Sequence, residues 1–236
     1  MTATVLLIHG AFADGSSWNK VIARLKEAGI AARTVANPLR GLSVDGEYVA
    51  SVVAQTEGDV VLVGHSYGGP VITYAGSAAD NVKALVFVAA FGLDKGESAQ
   101  DSGASFPEPE LLSALQTWNF PGSDLPDLSI VQDKYRRVFA ADVTDEEAAS
   151  GATNQRPVSA LGLGEPLAVE PAWKRVPTWW VIGSEDHAIN PDYQRATAKK
   201  IGATVTELEG GSHSIAVSRS AEVATAIIEA VNSLSS

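Results

Sequence analysis

The chain has 236 residues, of which 45% are hydrophobic and 19% are charged, and it contains no cysteine. At roughly 100–200 residues per domain, this length allows one domain with an insertion or at most two small domains. The formal charge of −11, from 28 acidic and 17 basic residues, repels nucleic-acid backbones and anionic lipid surfaces, so we expect neither as a partner. Without cysteine, disulfides, thiolate metal sites and a cysteine nucleophile are excluded.

The amino-terminal residues bear on location. Residues 1–4 run directly into the apolar residues 5–8 without a basic region, and no apolar run approaches the ~18 residues of a membrane span. We therefore expect a cytoplasmic protein.

Short apolar runs alternate with segments of helical period along most of the chain, which predicts βα units and a mostly parallel sheet. One helix is expected to begin at Ser16 or Ser17 and to end at Gly29, and the last helix is expected to have Ser220 as its cap. The sequence predicts six strands, at residues 4–9, 31–36, 60–64, 84–90, 178–182 and 204–208.

The composition changes over residues 94–170. This segment holds 14 of the 28 acids, five of the 17 bases and six of the 11 prolines, and it has no β-rich apolar run. We interpret it as an α-helical cap without sheet, inserted between the two parts of an α/β core at 1–93 and 171–236, with helices at 111–115 and 131–139 and another starting at Asp145. A disordered acidic linker is the alternative. Against it stand several apolar anchors, namely Leu111, Leu112, Trp118, Phe120, Tyr135 and Phe139.

A candidate nucleophile lies in the segment Gly64-His65-Ser66-Tyr67-Gly68, which matches the pattern G-x-S-x-G. The segment follows a predicted strand and precedes residues 71–79, which have helical period. A strand-to-helix reversal there forces Ser66 into a strained backbone conformation and lifts its hydroxyl above the sheet edge. The start of the helix favours an anion at the same point. The alternative is an ordinary tight turn that contains a serine.

A serine hydroxyl needs a base within hydrogen-bond reach and a third group that holds the base in the correct tautomer. Among the four histidines, His213 lies in a Gly/Ser loop between the last predicted strand and the last helix. Loops at the carboxyl ends of parallel strands meet at the ligand crevice, so we predict His213 as the base. We interpret His9, His65 and His187 as packing or hydrogen-bonding residues.

The orienting acid is expected just after the strand predicted at 178–182. Asp186 is our choice there and Glu185 is the neighbouring alternative, because adjacent positions cannot both face the crevice. A solvated surface pair is the other interpretation of these two acids. The chain order Ser66, Asp186, His213, with each residue just after a predicted strand, favours a catalytic arrangement.

Acyl transfer also needs donors for the developing oxyanion. We expect the amide of Tyr67 to be one donor, and the second to come from the loop that follows the first strand. There the amide of Ala11 is the preferred candidate and that of Phe12 its neighbour. The alternative is that His9-Gly10 forms only a turn.

Four segments resemble the α/β-hydrolases, and within them the small plant-type methylesterase and hydroxynitrile-lyase branch with its bacterial relatives. These segments are Leu6-Leu7-Ile8-His9-Gly10-Ala11-Phe12 with Ser17-Trp18, Gly64-His65-Ser66-Tyr67-Gly68-Gly69, Gly183-Ser184-Glu185-Asp186, and Gly211-Ser212-His213-Ser214 with Ser218.

The resemblance implies an α/β-hydrolase fold, with a mostly parallel sheet of about six strands, helices on both faces and a helical cap at 94–170. It also implies the roles of nucleophile, base and acid for Ser66, His213 and Asp186, with the amides of Ala11 and Tyr67 as the oxyanion hole. Hydroxynitrile lyases of this type resemble each other in a lysine after the catalytic histidine and a threonine after the leading His-Gly pair. Here Ser214 and Ala11 stand at those places, so we do not expect cyanide elimination.

The sequence therefore predicts a serine hydrolase that cleaves carboxylic esters of small aliphatic or aromatic compounds without a cofactor or a metal. Phe12 and Trp118 are the predicted substrate contacts, and the acidic cap would disfavour strongly anionic substrates. One alternative keeps the same three residues for carbon–carbon or cyanohydrin cleavage or for perhydrolysis, and another is a small-molecule receptor with little turnover.

Overall fold

The structure is a computed structural model that describes residues 3–119 and 123–235. Nine strands lie in these residues: β1 (Thr4–Ile8), β2 (Ala32–Val35), β3 (Val60–His65), β4 (Val82–Val88), β5 (Leu115–Trp118), β6 (Asp127–Ile130), β7 (Val158–Ser159), β8 (Thr178–Gly183) and β9 (Thr204–Leu208).

Six of the strands form one parallel sheet in the order β2-β1-β3-β4-β8-β9. They are the six strands that the apolar runs predict, and their bounds differ from the prediction by no more than two residues. Every residue of β3 is buried, as is expected for a central strand that is covered on both faces. Because the strands are parallel, the residues that follow β1, β3, β8 and β9 all leave the sheet at the same edge.

Ten α-helices accompany the strands within the described residues: α1 (Asn19–Glu27), α2 (Leu42–Ala54), α3 (Gly68–Ser77), α4 (Ala99–Ser102), α5 (Tyr135–Phe139), α6 (Asp145–Asn154), α7 (Ala160–Gly164), α8 (Pro191–Lys200), α9 (Ile215–Ser218) and α10 (Ser220–Asn232). Short 3-10 turns lie at Gly15–Trp18, Glu110–Ala114, Gln132–Lys134, Ala172–Lys174 and Ser233–Ser235. Of the helices in residues 3–119 and 123–235, none combines the length and the apolar character needed to cross a bilayer.

The alternation of side chains along each strand divides the core into two layers. On one face, residues such as Leu62 pack in a cluster that includes side chains of α2, α3 and the segment 94–170. On the other face, residues such as Val61 and Val63 pack against α1 and α10. Period-2 alternation therefore places the side chain of His65 on the α1 and α10 face, where its ring meets that of Trp18.

The segment 94–170, which we call the cap segment, differs from its prediction. It contains the helices α4, α5, α6 and α7, but it also holds a small antiparallel sheet in the order β5-β6-β7. The prediction that this segment lacks sheet is therefore wrong. Its strands are only two to four residues long, so the period-2 signal is short, and their pairing with distant partners stabilises them.

Only some of the apolar anchors that were predicted for the cap segment are buried. Tyr135 and Phe139 are buried, whereas Leu112 and Trp118 are exposed. Leu111 is partly buried against the core, and Phe120 lies outside the described residues.

Two helix starts also differ from their prediction. Neither Ser16 nor Ser17 caps α1; the side chain of Asp14 instead caps a 3-10 turn that precedes it, accepting a hydrogen bond from the Ser16 amide at 2.8 Å. Ser220 is the buried first residue of α10 and not its cap, which is Arg219; the Ser220 Oγ accepts a hydrogen bond from Arg24 Nε at 3.1 Å. The Asp14 cap is a local contact two residues from Ser16, whereas the contact of Ser220 with Arg24 joins two helices that are distant in the chain.

Candidate active site

Ser66 occupies the reversal between β3 and α3, where its φ is +54°. A non-glycine residue in this left-handed region is uncommon and strained, as the motif predicts. Gly64 allows the reversal, because a Cβ at this position would lie 2.4 Å from the carbonyl oxygen of Gly68. The hydroxyl of Ser66 is therefore presented at the carboxyl edge of the sheet, and within residues 3–119 and 123–235 it makes no hydrogen bond.

The loop after β1 lies directly against Ser66. A Cβ on Gly10 would stand 2.5 Å from the Cβ of Ser66, so the two backbones approach more closely than any larger residue permits. The amide of Phe12, whose φ is +60°, donates to the carbonyl of Arg156 at 3.1 Å. By contrast, no described residue accepts a hydrogen bond from the amides of Ala11 or Tyr67. Of the two neighbouring candidates in this loop, Ala11 is thus the one with a free donor.

His213 and Asp186 are brought together by the loops that follow β9 and β8. His213 Nδ1 lies 2.8 Å from Asp186 Oδ2, and both side chains are buried, His213 to 1% exposure. A carboxylate accepts only, so Nδ1 carries the proton and Nε2 is the basic atom. Nε2 is buried and has no hydrogen-bond partner among the described residues. An imidazole with one nitrogen held by an acid and the other unpaired is arranged to take a proton from a hydroxyl.

The carboxylate of Asp186 is held by the turn in which it lies. Its Oδ1 accepts hydrogen bonds from the amides of Ala188 at 2.8 Å and Ile189 at 2.9 Å. Its Oδ2 also accepts one from Gln194 Nε2 at 2.8 Å, in addition to that from His213. The neighbouring alternative, Glu185, is exposed to solvent.

Two residues that sequence reasoning did not select contact this pair. Gln194 belongs to α8, for which no helix was predicted, and a buried glutamine has no sequence signal of its own. Phe139 ends α5 and places its ring edge-on to that of His213, with ring centroids 4.6 Å apart. The ring of His65 lies at the same distance from His213, tilted by 50°. The predicted base is therefore packed between a ring from the cap segment and a ring from the core.

The other histidines are bonded elsewhere. His9 Nδ1 lies 2.9 Å from the carbonyl oxygen of Gly10, and its Nε2 accepts from the amide of Asn37 at 3.1 Å. Burial lowers the pKa of His9, so its ring is the neutral form at pH 7. His187 pairs with Glu110 at 3.2 Å near the surface. Both interpretations as hydrogen-bonding residues agree with these contacts.

Tyr67, the residue after Ser66, is anchored through its side chain. Its hydroxyl donates to Asp45 Oδ2 at 2.8 Å, and both residues are fully buried. Burial raises the pKa of Asp45, while the amide of Arg40 and the hydroxyl of Tyr67 act against this increase. Burial raises the pKa of Tyr67 as well, so the hydroxyl stays protonated and remains a donor. This bond ties the amide that faces the predicted oxyanion to α2.

The two predicted substrate contacts have different positions. Phe12 is buried and packs edge-on to Phe139, with centroids 6.3 Å apart. Both rings line a cavity of about 350 Å³ between the start of α1 and the cap helices α5 and α6, together with Tyr135 and His65; the lining residues do not include Ser66 or His213. Trp118 is not among the lining residues either. It is 56% exposed on β5, and its Nε1 donates to Ser129 Oγ at 2.6 Å, so the structure does not bring it to this aromatic group.

Comparisons with known proteins agree with this architecture. A family model described as the alpha/beta hydrolase family matches residues 5–226, and the chain therefore belongs to that family. Over 109 residues it is 34% identical to the carbendazim hydrolyzing esterase of Nocardioides sp. (strain SG-4G), an alignment that spans 41% of this chain and 45% of that protein. It is also 25% identical over 215 residues to the pheophorbidase of Raphanus sativus, covering 83% of this chain and 81% of that one.

Solved structures show the same fold. The crystal structure of a methylesterase from Arabidopsis superposes with a TM-score of 0.82 and covers 98% of this chain and 99% of its own. At 18% sequence identity, this likeness shows the fold alone.

Proposed function

We propose that this protein is a serine hydrolase that cleaves carboxylic esters through an acyl-enzyme at Ser66. The observation that carries the proposal is the buried imidazole of His213, whose Nδ1 lies 2.8 Å from Asp186 while Nε2 has no partner among the described residues. Leaving a buried polar atom without a partner costs free energy, and a role of Nε2 as proton acceptor accounts for that cost. Ser66, on a strained turn at the same sheet edge, supplies the hydroxyl.

In this proposal Ser66 Oγ attacks the ester carbonyl while His213 Nε2 takes the hydroxyl proton. Asp186 keeps the proton of His213 on Nδ1 and stabilises the imidazolium that forms. The amides of Ala11 and Tyr67 donate to the oxyanion, and each such donor contributes roughly 3 kcal/mol to transition-state stabilisation. His213 then returns the proton to the leaving alcohol, and a water molecule, activated by the same base, hydrolyses the acyl-enzyme.

The esterase and hydrolase relatives support this reaction class, while their names refer to different substrates. We propose small aliphatic or aromatic esters without charge as substrates. The cap segment carries 14 acids and five bases, and its field disfavours anions, although salt screens it beyond about 8 Å. The proposed reaction needs no cofactor.

Replacement of the nucleophile tests the reaction. We expect Ser66→Ala to lower the turnover of p-nitrophenyl acetate by roughly 10⁴–10⁶-fold and to abolish labelling by a fluorophosphonate. Ser77→Ala at the end of α3, the helix that follows Ser66, is the matched control, because the Ser77 hydroxyl only donates to the carbonyl of Tyr74. Hydrolysis by Ser66→Ala at the wild-type rate would remove Ser66 from the mechanism.

A further inference from the structure

One carboxylate of the cap segment binds the loop that carries His213 on both sides of this residue. Asp142 lies between α5 and α6, and its side chain is 14% exposed. Its Oδ1 accepts a hydrogen bond from the hydroxyl of Ser212, which precedes His213. Its Oδ2 accepts one at 2.7 Å from the hydroxyl of Ser218, at the end of α9. The side chain of Asp142 therefore bridges Ser212 and Ser218, although Asp142 belongs to neither β9 nor α9.

Two further contacts join the same parts of the chain. Ser212 Oγ accepts a hydrogen bond from the amide of Ser214 at 3.1 Å, and Ser214 Oγ donates to the carbonyl of Phe139 at 2.8 Å. The ring of Phe139 in turn packs against the ring of His213. Residues 139–142 of the cap segment thus contact the loop before, at and after His213.

The core holds different atoms of this loop. The amide of Glu185 donates to the carbonyl of Gly211 at 2.9 Å, and His65 Nε2 lies 3.0 Å from the carbonyl oxygen of His213. These contacts hold backbone carbonyls, whereas the hydroxyls of Ser212 and Ser218 bond to Asp142 and, more weakly, to the backbone of Ser214 in their own loop. Because Gly210 and Gly211 give the loop unusual backbone freedom, its conformation depends on such external contacts.

We propose that Asp142 is a positioning residue that couples the docking of the cap segment to the alignment of His213. This inference rests on the proposed role of His213 as the base. Asp142 acts through Ser212 and Ser218, and hydrogen bonds to an ionised carboxylate are about twice as strong as neutral ones. Arg219 Nε, 3.9 Å from Oδ2, offsets part of the charge. If the cap segment moves away from the sheet, Asp142 moves with it, and the hydroxyls of Ser212 and Ser218 lose their acceptor.

The test compares Asp142→Ala with a variant that removes another charged contact between the cap segment and the core. Lys200 on α8 pairs with Glu97 of the cap segment at 3.2 Å, and Lys200→Ala breaks that pair without touching the loop or the cavity. A small misplacement of a catalytic group costs up to about 10²-fold in rate, so we expect Asp142→Ala to lower kcat for p-nitrophenyl acetate by about 10–100-fold with KM nearly unchanged. Lys200→Ala should keep the wild-type kcat.

Two more variants separate positioning from folding. Asp142→Asn retains an oxygen acceptor and should recover part of the lost kcat, and it carries the test if Asp142→Ala does not fold. The double variant Ser212→Ala with Ser218→Ala should match Asp142→Ala, and adding Asp142→Ala to it should lower kcat no further. Additive losses of kcat, an unchanged kcat in Asp142→Ala, or an equal loss of kcat in Lys200→Ala would overturn the proposal.

A readout that does not depend on ester hydrolysis distinguishes this inference from the proposed function. The proton on His213 Nδ1, hydrogen-bonded to Asp186, should give a low-field proton NMR resonance in the wild-type protein and in Ser66→Ala. We expect this resonance to broaden or disappear in Asp142→Ala and to persist in Lys200→Ala. If Ser66→Ala still hydrolyses esters, the proposed function fails, whereas an unchanged resonance in Asp142→Ala contradicts the role of Asp142.

Discussion

His65 Nε2 lies 3.0 Å from the carbonyl oxygen of His213, so the residue before the candidate nucleophile holds the backbone of the candidate base. Because a carbonyl oxygen only accepts hydrogen bonds, the proton of His65 lies on Nε2 and Nδ1 is unprotonated. Nδ1 is buried and has no hydrogen-bond partner among the described residues. Burial, followed by the neighbouring His213, holds the pKa of His65 well below its ordinary value. A neutral ring therefore supports His213 from the core side.

Stability should fall as the solution becomes acidic. The pKa values of His65 and His9 are lowered from 6.5 by burial, so below about this pH the unfolded chain binds protons that the folded chain does not. The free energy of unfolding then decreases with falling pH, by up to about 1.4 kcal/mol per pH unit for each histidine, until the folded-state pKa values are reached. Urea denaturation between pH 5 and 8, a window of roughly one and a half units either side of 6.5, measures this slope. His65→Gln, which keeps a donor toward His213, should show a smaller slope; an identical slope would contradict the assignment.

An alanine at Gly10 should damage the site. Its Cβ would stand 2.5 Å from Ser66 Cβ and 2.8 Å from the carbonyl oxygen of His65, and neither a Cβ nor a backbone carbonyl can rotate away from it. We expect kcat/KM to fall by about 10²-fold or more and the free energy of unfolding to fall by about 1–3 kcal/mol. Gly103→Ala is the matched control, because no atom would lie within 4 Å of its Cβ. Near wild-type turnover by Gly10→Ala would show that the loop can move away from Ser66.

The bond between Tyr67 and Asp45 should matter for stability more than for rate. Tyr67→Phe leaves a buried carboxylate without one of its donors, which costs about 1–3 kcal/mol of unfolding free energy. The backbone amide of Tyr67 is retained, so kcat should change by less than about 10-fold.

The loss of unfolding free energy in Tyr67→Phe should depend on pH. Without the hydroxyl, the pKa of Asp45 rises further above 3.8, so the ionised folded form is disfavoured and the loss grows as pH rises from 4 to 7. Tyr74→Phe removes a longer, exposed contact with Glu47 between the same two helices and should be nearly neutral. Equal effects of the two variants, measured by denaturation at both pH values, would contradict the special position of Tyr67.

Substitution of Trp118 should not affect ester binding. The side chain is 56% exposed and bonded to Ser129 of the neighbouring strand, away from the rings of Phe12 and Phe139. We expect Trp118→Ala to change KM for p-nitrophenyl esters by less than about 3-fold, whereas Phe139→Ala, which removes the ring against His213, should lower kcat. Steady-state kinetics of the two variants decide this, and a large increase in KM for Trp118→Ala would restore it as a substrate contact.

Local sequence patterns and tertiary contacts determine different strands of this fold. The apolar runs predict all six strands of the main sheet, because a strand covered on both faces is apolar at nearly every position. The strands β5, β6 and β7 escaped prediction, since segments of two to four residues acquire their conformation from pairing with distant partners. Period and run length are properties of neighbouring residues, whereas pairing is a property of the folded chain.

By itself, the sequence determined the βα order, the strained position of Ser66 and the chain positions of Asp186 and His213, because each depends on residues adjacent in the chain. Only the tertiary structure decided which amide after His9-Gly10 is free, that Glu185 faces solvent, and that Gln194, Phe139 and Asp142 surround the acid and the base. These contacts join residues as far apart in the chain as Phe12 and Arg156, and their geometry follows from how strands and loops pack together rather than from any local preference.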